Sequence, residues 1–212
     1  MKQFYQIRQF LAFLSVFCCF TGSLLAQGTS PVPQNIPYVQ DFSTLLSSSI
    51  TYPPGFQGWT ASTAPGSSYN TSATLVADRA LIANSSASIT SGNFHNYNGK
   101  IGFLNNGSLD LTIGLAINTL GKSAIEVQFD AMVIRNPYDG LSNTRINEMA
   151  LQYRIGNTTV FNTLPATSYL SNTVKQTTSG VTTPVNPVTI KVILPAECNN
   201  QEVVQLRWIS KQ

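Results

Sequence analysis

Apolar residues occupy every second position in five separate stretches of the chain, and this period of two strongly constrains the fold. Successive side chains of a β-strand point to opposite faces, so strict alternation predicts half-buried strands. After residue 26, no stretch combines a sustained helical period with helix caps. The pattern therefore predicts an all-β fold. The five stretches are 109–117, 125–133, 149–155, 188–194 and 204–208.

Turn-forming pairs lie between the strands and indicate antiparallel connections. Asn98-Gly99, Asn106-Gly107 and Asp139-Gly140 all tolerate the positive φ that tight hairpins require. We predict a hairpin at Asn106-Gly107 that joins 101–104 to the strand beginning at residue 109. Many short alternating strands predict two antiparallel sheets packed as a β-sandwich.

The segment 156–187 is rich in threonine, serine and asparagine and contains three prolines. This composition predicts long loops, with a short edge strand at 158–161. Loops of this kind carry recognition in many β-sandwiches, although a purely connecting role fits the composition equally well.

The first 26 residues have the three parts of an export signal. Lys2 and Arg8 give a basic start, residues 10–20 form an apolar core, and Ala26 is a small residue suited to cleavage. The apolar core is shorter than the ~20 residues that span a bilayer. We expect residues 1–26 to be removed and the protein to be secreted, either extracellular or at the cell surface.

After the signal, the sequence predicts a linker over 27–35 and one β-sandwich domain over 36–212. Loss of Lys2 and Arg8 leaves ten basic and nine acidic residues, a net charge of +1. This balance gives no basic patch for nucleic acid and no acidic tail for a basic partner. Cys198 is the one cysteine outside the signal, so we expect no internal disulfide and a buried thiol rather than a reactive one.

Several segments, taken in their order along the chain, resemble jelly-roll modules of secreted Bacteroidota proteins. Many of those proteins are exported from the cell through the type IX secretion pathway. The resemblance covers about 36–210 of this chain. It implies a concanavalin-like or jelly-roll β-sandwich that serves adhesion or glycan binding outside the cell. The segments include IPYVQDFSTL, YPPGFQGWT, FHNYNGKIGFLNNGS, ALQYRIG and VQLRWIS.

Members of that family usually continue beyond the segment that matches VQLRWIS, into a last strand with a pair of aspartates near its start. The resemblance therefore implies a domain that is truncated at its C-terminal end and lacks its last strand. One alternative function follows: the chain would be the N-terminal accessory module of a longer secreted hydrolase or nuclease.

Catalytic constellations are not evident in the sequence. His95 is the single histidine, and neither a G-x-S-x-G nor an H-E-x-x-H motif occurs. Glu126 and Asp130, four residues apart on one strand, would lie ~13 Å from each other. Glycosidase carboxylates are about 5–10 Å apart. We predict a non-enzymatic binding or adhesion module that recognises an extracellular glycan or a surface partner.

Candidate binding residues are aromatic. Tyr52, Trp59 and Tyr69 could stack on sugar rings, since flat aromatic faces suit apolar sugar faces. For Trp59 we favour the alternative that it plugs one end of the sandwich together with Phe56, and we expect Trp208 to be a core residue.

Three aspartates from distant loops, Asp41, Asp130 and Asp139, are the candidate ligands for a calcium ion. Their carboxylates are the hard oxygen ligands that calcium prefers, although no EF-hand spacing is present.

Overall fold

The computed structural model describes residues 28–62, 64–83, 91–97, 99–135, 138–144, 146–176 and 183–211; residues 1–26, the predicted export signal, lie outside them. Within these ranges the chain forms thirteen strands, two 3-10 turns (Pro165–Thr167 and Ala196–Cys198) and no α-helix. Accordingly, no described helix could cross a membrane. The all-β prediction is confirmed. The strands are β1 (Gln34–Asn35), β2 (Phe56–Ser62), β3 (Ala77–Arg79), β4 (Leu81–Ala83), β5 (Asn93–Asn96), β6 (Ile101–Leu104), β7 (Asp110–Asn118), β8 (Glu126–Val133), β9 (Glu148–Ile155), β10 (Asn162–Thr163), β11 (Tyr169–Leu170), β12 (Val185–Ile193) and β13 (Val204–Lys211).

Eight strands form one main sheet with the order β10-β9-β13-β7-β2-β3, to which β1 adds beside β7 and β11 beside β9. All its pairings are antiparallel except that of β1 with β7. Two smaller sheets lie apart from it: the pair β12-β8 and the three strands β4-β5-β6. The arrangement is consistent with a β-sandwich, and each of the five alternating stretches contains a strand.

The predicted hairpin at Asn106-Gly107 is wrong. β6 pairs with β5, whereas β7 pairs with β2 and β13, so the two strands belong to different sheets. Asn105 fixes the corner between them: its Oδ1 accepts a hydrogen bond from Leu111 N (2.9 Å), and its Nδ2 donates to Ser210 Oγ (2.9 Å). The tight turn itself forms, since Leu109 N donates to Asn106 O (3.4 Å), but non-local pairing places the strands on either side of it in different sheets.

Two other segments differ from expectation. The edge strand predicted at 158–161 lies slightly later, as β10. The described part of the predicted linker follows the main sheet, because Gly28 N donates to Leu75 O (2.9 Å) and β1 pairs with the end of β7. These contacts tie the start of the described chain to the sandwich.

The inner face of the main sheet carries the apolar residues that the alternation predicted. Leu115, Leu151 and Leu206 from its three central strands are buried in one large cluster. Phe129 of β8 packs edge-on against Trp208 of β13, with 5.5 Å between ring centroids. This face therefore points towards the smaller sheets.

The outer face of the main sheet is also buried, by loop segments rather than by a second sheet. Trp59 is 0% exposed and clusters with Leu75 and Phe161. Its indole lies over Gly114, where a Cβ would come within 2.0 Å of the ring. A glycine at this position of β7 is what allows the tryptophan to lie flat on the sheet.

Two loops hold β8 and β12 against the main sheet. Thr119 N donates to Gln201 O (2.8 Å), and the buried Thr119 hydroxyl donates to Cys198 O (2.6 Å). A further hydrogen bond joins the same two loops: Asn200 N donates to Lys122 O (3.0 Å). The entry to β8 and the exit from β12 are thus joined by backbone hydrogen bonds.

We predict that Gly114→Ala destabilises the protein, because the new methyl group collides with the Trp59 ring. Overpacking of this kind costs about 1–3 kcal/mol. For a chain of this size each 1 kcal/mol lowers the melting temperature by ~2–4 °C. Gly107→Ala is the matched control, since a Cβ there meets nothing within 4 Å. Equal melting temperatures for the two variants in a thermal scan would contradict the Trp59–Gly114 packing.

Candidate functional site

An open cleft of about 940 Å³ separates the two smaller sheets. One wall is formed by residues 99–105, including β6, and the other by 122–135, including β8. Every residue of both ranges lines the cleft, whereas no described residue of β5 or β12 does. Since β5 and β12 cover one edge of β6 and β8 respectively, the walls of the cleft are the opposite strand edges.

Aromatic rings form the centre of the cleft floor. Phe56 and Trp208 stack with their planes 16° apart and their centroids 6.3 Å apart. Phe129 meets the same indole edge-on. All three rings are half-buried, so part of each faces the open volume. Partly exposed aromatic rings on a concave apolar floor are typical of ligand sites.

Polar and charged side chains lie around this floor. Lys100, Gln128, Asp130 and Arg135 all line the cleft. The Nη1 atom of Arg135 is buried and has no hydrogen-bond partner among the described residues. Burial raises the pKa of Tyr97, another cleft residue, while the charge of Arg135 opposes that shift. The Tyr97 hydroxyl is therefore neutral at neutral pH and can donate a hydrogen bond.

The structure places Trp59 away from the cleft. Its ring is fully buried on the outer face, and its Nε1 donates to Thr29 O (2.9 Å). A ring with no exposed face offers no surface for a sugar in this conformation, and its placement fits the packing role that the sequence favoured.

Tyr52 and Tyr69 are half-buried and also lie outside the cleft lining. The Tyr52 hydroxyl donates to Arg79 O (3.0 Å), and its ring lies edge-on to Phe94. Tyr69 lies beneath the ammonium group of Lys211, 4.8 Å from Nζ to the ring centroid. The structure therefore does not gather the three aromatic candidates into one platform, and a binding role for each stays a prediction.

Of the three aspartates proposed for calcium, Asp41 and Asp130 line the cleft and Asp139 does not. Asp41 Oδ1 accepts hydrogen bonds from Ser43 N (2.9 Å) and Ser43 Oγ (2.8 Å). Asp130 Oδ1 accepts from the Thr189 hydroxyl (2.6 Å). Asp139 is held by its own turn, which lowers its carboxyl pKa. Among the described residues, no three acidic, histidine or cysteine side chains come together as metal ligands.

The single histidine and the single cysteine after residue 26 are both buried. His95 lies on β5 with its ring 5.8 Å from that of Tyr97. Cys198 is 0% exposed, and burial, with a smaller effect from Glu197, raises its pKa to about 12. A buried thiol with so high a pKa is a poor nucleophile.

No family model, curated protein or solved structure matches this chain. The resemblance to secreted jelly-roll modules therefore stays a prediction, and the geometry of the cleft has to carry the functional interpretation.

Sequence reasoning did not identify the cleft. It assigned Trp208 to the core and Phe56 to a plug at one end of the sandwich. The apolar alternation over 125–133 predicted a half-buried strand but contained no information about an unpaired edge. Strand pairing is non-local, so a free edge becomes visible only when the whole sheet order is known.

We predict that the two tryptophans differ in solvent access. Acrylamide should quench the fluorescence of Trp208, which faces the cleft, and leave that of buried Trp59 largely intact. Trp208→Phe should remove the quenchable component, while Trp59→Phe, the matched control, should remove the protected one. Equal quenching of the two single-tryptophan variants would show that the cleft is not open in solution.

Proposed function

We propose that this protein is a non-enzymatic extracellular binding module with a jelly-roll-like β-sandwich fold. Its ligand, an extracellular glycan or a cell-surface partner, occupies the cleft between β6 and β8. The observation that carries the proposal is the open volume of about 940 Å³ above the half-exposed rings of Phe56, Phe129 and Trp208. Ligand sites in proteins commonly enclose about 300–1,000 Å³.

The chemistry of the lining supports ligand binding in the cleft. The aromatic floor offers apolar contact area, and the rim offers amide, ammonium, guanidinium and carboxylate groups. A mostly apolar floor gives affinity, and a small number of well-positioned polar groups fix the orientation of the ligand. The export signal over 1–26 supports an extracellular setting for that ligand.

Direct binding measurements on the chain without residues 1–26 would test the proposal. A glycan array and a pull-down from a cell-surface extract supply candidate ligands, and each purified hit is then titrated while Trp208 quenching is followed. We predict that a true ligand protects Trp208 from acrylamide. Phe129→Ala should weaken binding at least about tenfold, because truncating a central aromatic anchor costs about 2 kcal/mol or more and about 1.4 kcal/mol is a factor of ten.

Ile193→Ala is the matched control for that variant. Ile193 lies on β12, is 63% exposed and does not line the cleft. It should bind every ligand as the unmodified protein does. A ligand that binds Phe129→Ala at full strength, or one that leaves Trp208 accessible, would place the binding site outside the cleft and refute the proposal.

A further inference from the structure

β8 presents a row of backbone groups to the cleft. Leu194 N donates to Ile125 O (2.8 Å), so these directly opposed residues form a hydrogen-bonded pair. Hydrogen-bonded and non-hydrogen-bonded pairs alternate along an antiparallel ladder. The N–H and C=O groups of Glu126, Gln128 and Asp130 therefore point away from β12 and towards the cleft.

β6 presents a second row from the other wall. Tyr97 N donates to Lys100 O (2.8 Å), which sets the alternation between β5 and β6. By the same rule, the backbone groups of Ile101 and Phe103 point away from β5. Among the described residues, neither of these two strand edges has a second partner strand, and both edges face one volume. Natural proteins usually cover such edges.

The cleft also interrupts the core of the sandwich. Two apolar clusters lie on either side of it, and both include Phe56 and Trp208 at the floor. Val127 on one wall and Phe103 on the other are only half-buried. Apolar side chains placed between these walls would join the two clusters into one.

We propose that the cleft binds an extended segment of another protein by strand addition, with β8 on one side of the segment and β6 on the other. This inference rests on the proposed function, which makes the cleft the binding site, and it names the ligand class. Strand addition is an established mode of peptide recognition, in which main-chain hydrogen bonds give affinity and alternate side chains give specificity. The order of the second layer becomes β12-β8-segment-β6-β5-β4.

The required chemistry of the segment follows from the walls and the floor. Two rows of backbone N–H and C=O groups are complementary to another extended backbone, which carries the same groups on both edges. The floor accepts only alternate side chains of that segment, so every second residue must be apolar. Pairing along the whole of β8 needs eight residues.

Three synthetic peptides of eight residues, the length of β8, test this requirement without any change to the protein. The first alternates valine and threonine, the second has the same composition with the valines contiguous, and the third is the first with every second amide N-methylated. Calorimetry and protection of Trp208 from acrylamide are the measurements. We expect the first peptide to bind at least about tenfold more tightly than the other two, which lose side-chain register or hydrogen bonds.

A substitution at the edge provides the complementary test. Gln128→Pro removes an N–H that faces the cleft, and proline is tolerated at an edge where its N–H is not part of the ladder. We expect this variant to lose at least about tenfold in affinity for the alternating peptide, while the control Ile193→Ala, outside the cleft, stays within about twofold of the unmodified protein.

The outcomes separate this inference from the proposed function. Equal affinities for the three peptides, or no binding of any, would overturn strand addition. A glycan that protects Trp208 and binds Gln128→Pro at full strength would overturn it as well, yet leave the cleft as the binding site. Concentration-dependent dimerisation that Gln128→Pro abolishes would reject a separate partner and identify a second copy of this chain as the strand donor.

Discussion

Burial of two arginine side chains on Phe161 is the interaction on which the outer face of the main sheet depends. The guanidinium carbon of Arg207 lies 3.6 Å, and that of Arg154 4.3 Å, from the Phe161 ring centroid. Arg207 Nε donates to Gln152 Oε1 (2.6 Å), and Arg154 Nη2 to Gln205 Oε1 (2.7 Å). Desolvation lowers the pKa of both arginines. Because a guanidinium keeps its charge, these partners are what make such burial tolerable.

The arginine–Phe161 cluster is linked to the way in which the two faces of the main sheet are covered. Loops that supply Phe161, Leu75 and the carbonyl groups for the arginines cover the outer face, so no second sheet is needed there. The smaller sheets all lie on the inner face, where the apolar side chains of β7 and β13 point. The described strands of these two sheets do not pair with each other, and the gap between them is the cleft.

The sequence predicted the strands of this fold far better than their partners. Alternation located β7, but it marked the strand as half-buried, whereas Thr112, Gly114 and Ala116 on its second face are also covered. Small residues at these alternate positions of an otherwise apolar strand are a sequence signal that another segment packs closely on that face. The pairing of β6 with β5 and the partial exposure of Trp208 in the cleft were not readable, since each depends on which distant segment folds over which face.

A two-stranded sheet such as β8-β12 is marginal by itself, so the shape of the cleft must be imposed from outside it. The hydrogen bonds of Thr119 fix the end at which β8 begins and β12 ends, and the Phe129–Trp208 contact fixes β8 over the main sheet. On the other wall, Asn105 holds the corner after β6. Both walls are thus positioned by the main sheet before any ligand arrives. A site of this kind loses little conformational entropy on binding, which favours affinity even where the contact area is small.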